Sequence, residues 1–126
     1  MTKRIIESPN APAAIGPYSQ AVVAGGLLFT SGALPIDPAT GAMVQGSVVD
    51  RAHRVFKNLA AIAQEAGTTL DNAVKVTVYL ADIADFQAVN AVYGEYFTQP
   101  FPARSAFQVA ALPLGSDIEV EAIINL

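Results

Sequence analysis

Val74-Lys75-Val76-Thr77-Val78-Tyr79-Leu80 alternates without a break, placing Val74, Val76, Val78 and Leu80 on one side of an extended chain and Lys75, Thr77 and Tyr79 on the other. A strand with one apolar face needs other elements to cover it, and the flanking sequence supplies two helices. Upstream, Ser47 with Asp50 forms a capping signal, and Val48, Ala52, Val55, Leu59, Ile62 and Ala66 recur at steps of four and three until Gly67 stops the run. Downstream, Asp82 or Asp85 caps a second helix with the stripe Phe86, Val89, Tyr93, Tyr96 and Phe97, ending before Pro100. Gly94 is the one residue within it that opposes helix.

Further out, Gly25-Gly26 separates Ser19–Ala24 from Leu27–Gly32, a tight hairpin whose turn needs positive φ. The N-terminal residues through Glu7 read as a short strand. Leu34–Gly41, with two prolines and a glycine, is a surface loop. Two final strands are expected at Ala103–Val109 and Asp117–Asn125, joined by a turn at Leu112–Gly115 and paired as neighbours. The order β, β-hairpin, α, β, α, β, β predicts an α+β fold in which two helices pack on one face of a single sheet.

At 126 residues the chain is expected to form one domain over 1–126. It is 52% hydrophobic and only 14% charged, so part of its apolar surface is expected to meet other subunits across the sheet's uncovered face, in a closed symmetric oligomer. Seven Lys and Arg against 11 Asp and Glu give a net charge of −4, which disfavours nucleic acid as a partner. No apolar run approaches the roughly 18 residues of a membrane span, and no secretion signal opens the chain, so a cytoplasmic protein is expected. The absence of Cys removes disulfides, thiolate nucleophiles and thiolate metal sites. His53, the only histidine, lies among Arg51, Arg54 and Lys57 on an expected solvated basic face, which leaves no His-cluster metal site and no Ser-His-Asp arrangement.

Arg104 is the only basic residue after Lys75, and it stands in the apolar run Phe101–Pro113. A guanidinium cannot shed its charge, so its partner is either a ligand's carboxylate, which its planar fork fits with two hydrogen bonds, or a structural acid, Glu119 or Glu121. On the same strand Arg104, Ala106 and Gln108 share a face. On the last strand Glu119 and Glu121 lie opposite Ile118, Val120, Ala122 and Ile124, and the plainer role for one of them is an ion pair with Arg104. Asn90 borders the second helix's stripe, where its amide is expected to bond to nearby backbone. Tyr18 and Ser31 sit beside turn-forming residues and carry little signal alone.

Together, Ile15-Gly16-Pro17-Tyr18-Ser19-Gln20, Phe29-Thr30-Ser31-Gly32, Phe101-Pro102-Ala103-Arg104-Ser105, Val109-Ala110-Ala111-Leu112-Pro113 and Ile118-Glu119-Val120-Glu121-Ala122 closely resemble the reactive intermediate deaminase (RidA) family, in order and spacing over nearly the whole chain. The resemblance implies a chorismate-mutase-like fold of the bacillary type, with a single mixed sheet, assembled as a homotrimer with clefts between subunits. It implies hydrolysis of enamines and imines such as 2-aminoacrylate and 2-iminobutyrate to 2-keto acids and ammonia, without cofactor or metal. Carried over by motif, Arg104 binds the substrate carboxylate, Glu119 positions water, Tyr18 and Ser31 line the cleft, and Asn90 and Ala106 contact the substrate. Two departures stand out: Ala33 where relatives often carry Gln, and Leu114 where they often carry Lys. A non-catalytic sensor of small 2-keto or other carboxylic acids in the same cleft is the alternative, and the ribonuclease activity attached to some relatives is opposed by the acidic charge balance.

Overall fold

A computed structural model describes residues 2–126. Six strands form one mixed sheet: β1 (Arg4–Ile6), β2 (Ala21–Ala24), β3 (Leu27–Thr30), β4 (Ala73–Leu80), β5 (Ala103–Gln108) and β6 (Ile118–Asn125), in the order β1-β2-β3-β6-β4-β5. Helices α1 (Val48–Glu65) and α2 (Phe86–Tyr96) cover one face. Gly25 and Gly26, at φ +60° and +77°, make the β2–β3 turn, as its left-handed geometry requires. Ser47 Oγ accepts from the Asp50 amide while the Asp50 carboxylate accepts from the Ser47 amide, a reciprocal cap that stabilises α1 by about 1 kcal/mol. No helix of the described residues is long and apolar enough to cross a membrane.

The core lies between helices and sheet. Val55, Phe56, Leu59 and Ile62 of α1 meet Val76, Val78 and Leu80 of β4 and Ile118, Val120 and Ile124 of β6, all buried. Phe56, Tyr93 and Phe97 form an aromatic knot, with Tyr93 stacked on Phe97 at 4.4 Å between ring centroids. Gly94 is accommodated within α2, Val92 joins the buried stripe, and the helix ends at Tyr96 with Phe97 as its cap. Asp82, not Asp85, supplies a side-chain cap, and it does so for a short 3-10 turn at Ile83–Asp85 that leads into α2.

The structure corrects three sequence expectations. The last two strands are not neighbours: β6 runs antiparallel between β3 and β4, and β5 lies at the sheet edge, parallel to β4. Val74 does not belong to the apolar face of β4, because a register shift between Ala73 and Lys75 turns it out and gives its place to Ala73. His53 is not freely solvated; its Nδ1 lies 2.9 Å from the Tyr96 hydroxyl and its Nε2 3.8 Å from Glu95.

Candidate active site

Registered residues on neighbouring strands share a face, so the pairing of β5 with β4 decides where Arg104 points. Arg104 pairs with Val76 and Ala106 with Val78, both β4 residues buried under the helices. Arg104 therefore lies on the helix-bearing face, at its open edge. There Nη1 donates to Asn90 Oδ1 at 2.6 Å, and the guanidinium carbon sits 4.6 Å from the Tyr93 ring centroid and 5.3 Å from that of Phe86. These contacts fix the plane of the fork by stacking and one strong hydrogen bond. Burial raises the Tyr93 hydroxyl pKa, and the Arg104 charge opposes that shift. Asn90 thus bonds to a side chain rather than to the backbone expected of it, because one turn of α2 sets it directly over β5.

Glu119 pairs with Tyr79 and Glu121 with Thr77, on the opposite, helix-free face. The expected ion pair between Arg104 and Glu119 or Glu121 is absent: β4 separates the strands and the side chains leave the sheet in opposite directions. Among the described residues no acid lies within ion-pair distance of Arg104. Glu121 instead accepts a hydrogen bond from the Tyr79 hydroxyl, whose pKa this bond, burial and the neighbouring acids push to about 12.

Glu119 has a specific seat. A Cβ built on Gly32 would come within 2.5 Å of Glu119 Oε2 and 2.7 Å of its Cδ, so the carboxylate occupies the space above that glycine. Partial burial, and secondarily the Glu121 charge, raise the Glu119 pKa above the ordinary carboxylate value. Ser31 and Tyr18 stand at the same end of the sheet and line one cleft of about 380 Å³ with Gly32 and Leu114. Ser31 Oγ donates to the Ser19 carbonyl at 2.5 Å, and its amide donates to the Gln20 carbonyl at 2.9 Å. Tyr18 is 54% exposed.

The expected residues thus fall into two candidate half-sites: Arg104 with Asn90 and Ala106, and Glu119 above Gly32, which also walls the cleft lined by Tyr18 and Ser31. Three further residues build the second half. Gly32 makes room for Glu119. Buried Gln20 holds the loop before Tyr18, its Oε1 accepting from the Ser8 amide at 2.6 Å and its Nε2 donating to the Pro12 carbonyl at 2.7 Å. Buried Asn58 donates to the Leu34 and Ile36 carbonyls at 3.1 and 2.9 Å, fixing the segment that follows Ser31-Gly32. The only signal for Gln20 and Asn58 is a polar amide within an apolar pattern, which marks burial but names no partner.

Of the two departures, Ala33 pairs with Val120 through backbone bonds that any residue can make, and Leu114 is 72% exposed at φ +58°. No group of three or more His, Cys, Asp or Glu side chains able to hold a metal occurs among the described residues.

The family model described as Endoribonuclease L-PSP matches residues 8–126. The chain is 53% identical to the 2-iminobutanoate/2-iminopropanoate deaminase of Capra hircus, over 98% of this chain and 90% of that protein. In structure it superposes with a TM-score of 0.97 on YyfA of Yersinia pestis, a Rid-family protein 44% identical, covering 99% of this chain and 100% of that one. It also superposes with a TM-score of 0.93 on RidA from an Antarctic Psychrobacter, 42% identical, covering 98% and 99%. With this match along nearly its whole length, the chain belongs to the L-PSP endoribonuclease family, the Rid group that includes imine deaminases.

Proposed function

We propose that this protein hydrolyses reactive 2-enamine and 2-imine carboxylic acids, such as 2-aminoacrylate and 2-iminobutyrate, to 2-keto acids and ammonia. It does so as a homotrimer of chorismate-mutase-like subunits, each cleft formed by two of them. The observation that carries this reading is the state of Arg104: oriented by Asn90 and two aromatic rings, yet without an acidic counterion among the described residues. A fixed guanidinium with donors to spare suits a planar carboxylate. The net charge of −4 and the lack of a basic stripe argue against RNA as the substrate.

The two half-sites lie on opposite faces, so a molecule touching both lies between two copies of the chain. The helix-free face is suited to that contact, since Ile5, Phe29 and Phe107 are 45%, 37% and 45% exposed on it. In the cleft, Arg104 of one subunit holds the substrate carboxylate and presents C2 of the protonated imine to water near Glu119 of the next. Glu119 takes a proton as the water oxygen bonds to C2 and the C=N π electrons pass to nitrogen. It returns that proton to the nitrogen; the hydroxyl proton then passes to Glu119 as the carbonyl forms and the C–N bond breaks, and the departing ammonia carries that proton away as ammonium. A raised pKa suits a carboxylate that first accepts and then donates. Tyr18 and Ser31 orient the water and the departing nitrogen.

The test is ammonia release from freshly generated 2-iminobutyrate. Arg104→Ala and Arg104→Lys should both lose about 10²-fold or more in kcat/KM in a folded trimer, since lysine supplies charge without the fork. Wild-type turnover in either refutes the role of Arg104. Co-refolding equal amounts of Arg104→Ala and Glu119→Gln chains should recover about a quarter of the sites, because each site draws one residue from each neighbour. Tight binding of 2-ketobutyrate with no turnover by the wild type would favour the sensor reading.

A further inference from the structure

Glu121 is a second acid on the face that carries Glu119, and none of the proposed catalytic roles uses it. It stands two residues on from Glu119 along β6, so both carboxylates leave the same side of the sheet, about 7 Å apart along an extended strand. We propose that Glu121, held by Tyr79, is a positioning residue for the deamination: a fixed negative charge beside Glu119 that helps this carboxyl keep its proton between taking it from water and returning it to nitrogen. The inference rests on the deaminase reading and adds a residue pair that acts on the reaction only through Glu119. Three observations carry it.

The charge is fixed in place. Tyr79 pairs with Glu119 across the two strands, and its hydroxyl reaches along β6 to donate to Glu121 Oε1. The Tyr79 ring is itself held edge-on against Phe107, at 5.4 Å between centroids. Its hydroxyl pKa is pushed up to about 12, first by the bond to Glu121, so it stays a donor at any pH the enzyme would meet. The charge is also left without a counterion. Lys75 is the only cation that β4, β5 or β6 carries on this face, and its Nζ turns away from β6 to Ser105 Oγ at 3.0 Å. Among the described residues no cation lies within ion-pair distance of Glu121. Finally, no other acid of the chain takes its place beside Glu119: Asp117 pairs with Arg51 at 3.4 Å, and β3 and β5 put no titratable side chain on this face. Tyr18 lines the adjoining cleft, and in the proposed assembly Arg104 of the neighbouring subunit opposes Glu121 by favouring the ionised form of Glu119. The raised Glu119 pKa agrees with this geometry, with burial as its first cause and the Glu121 charge as its second.

The experiment is the pH profile of kcat/KM for freshly generated 2-iminobutyrate, whose acid limb reads the ionisation of Glu119 in the free enzyme. Glu121 favours the protonated form, so Glu121→Gln should move that limb to lower pH and lower the plateau. Two charges about 7 Å apart bias such an equilibrium about threefold even at the dielectric constant of water. At a pH on the limb, activity relative to the plateau should therefore rise about threefold or more. Tyr79→Phe, which frees Glu121 to swing toward Lys75 or water, should move the limb the same way by less. Glu121→Asp keeps the charge and should hold the limb closer to wild type than Glu121→Gln does. A purely structural role would lower activity at every pH and leave the limb where it is. A folded Glu121→Gln whose limb coincides with that of wild type overturns the proposal and leaves the deaminase reading standing; if that variant does not fold, an unmoved limb in Tyr79→Phe does the same. Absence of turnover by the wild type overturns the deaminase reading, and the role of the pair falls with it.

Discussion

Replacing Gly32 with alanine separates the needs of the proposed catalytic base, Glu119, from those of the fold. Gly32 is not among the residues with positive φ, so its backbone suits any side chain and what it supplies is space. The new Cβ would lie 2.5 Å from Glu119 Oε2, whereas ordinary contact begins at 3.4 Å, so the carboxylate must retreat by about 0.9 Å. Moving the end of a flexible side chain costs about 0.5–1.5 kcal/mol in rotamer energy. The stiffer unfolded chain returns about 0.4–1 kcal/mol, leaving the net change within about 1 kcal/mol. Catalysis does not share that tolerance, since a displacement of about 1 Å at a positioned reacting group costs about 10²-fold. The expected variant melts within about 5 °C of wild type and loses about 10²-fold in kcat/KM for 2-iminobutyrate, read as initial 2-keto acid formation. A value within about threefold of wild type, in a folded protein, refutes the claim that Glu119 acts from the seat above Gly32.

Other perturbations probe the same framework. Because its pKa is raised in the folded state, Glu119 binds its proton more tightly there than in the unfolded chain, so its contribution to stability declines as pH rises through that window. Glu119→Gln should therefore raise the melting temperature at neutral pH and lose this advantage below the ordinary carboxylate range, while the wild-type rate rises with pH on an acid limb displaced upward. Asn58→Ala leaves the Leu34 and Ile36 carbonyls without their donor, at an expected cost of about 3 kcal/mol in chemical denaturation. Tyr79→Phe removes the hydrogen bond to Glu121 and should cost about 1 kcal/mol; it should also abolish the tyrosinate absorbance step near pH 12 in a spectrophotometric titration.

Much of the architecture is legible in local pattern, and its failures have physical causes. Alternation along β4 identifies the strand, yet it cannot reveal the register shift, because Ala73 and Val74 are both apolar and either could face the core. Chain proximity suggests that β5 and β6 pair. The rule for a strand-helix-strand unit with the helix on one face gives β4 and β5 as parallel neighbours instead, as observed. Composition agrees. Arg104, Ser105 and Gln108 give β5 the polar character of an edge, while Ile118, Val120, Ala122 and Ile124 suit β6 to the centre.

The candidate residues stand out in the sequence by type, and their arrangement does not. The sequence presents Arg104 and Glu119 as candidates for one ion pair, since a guanidinium and a carboxylate on adjacent strands normally satisfy each other. Strand order removes that option by inserting β4, and face parity then points the two charges away from each other. An arginine fixed by Asn90, Phe86 and Tyr93 without neutralisation is the state in which a small carboxylate gains most on binding, because little side-chain entropy remains to be lost. The same parity explains the exposed Ile5, Phe29 and Phe107: the face that carries Glu119 also carries the apolar surface that would bring a second subunit's Arg104 toward it. In the proposed assembly, oligomer formation and completion of the site are one event, and substitutions that weaken it should reduce activity in proportion to the oligomer lost.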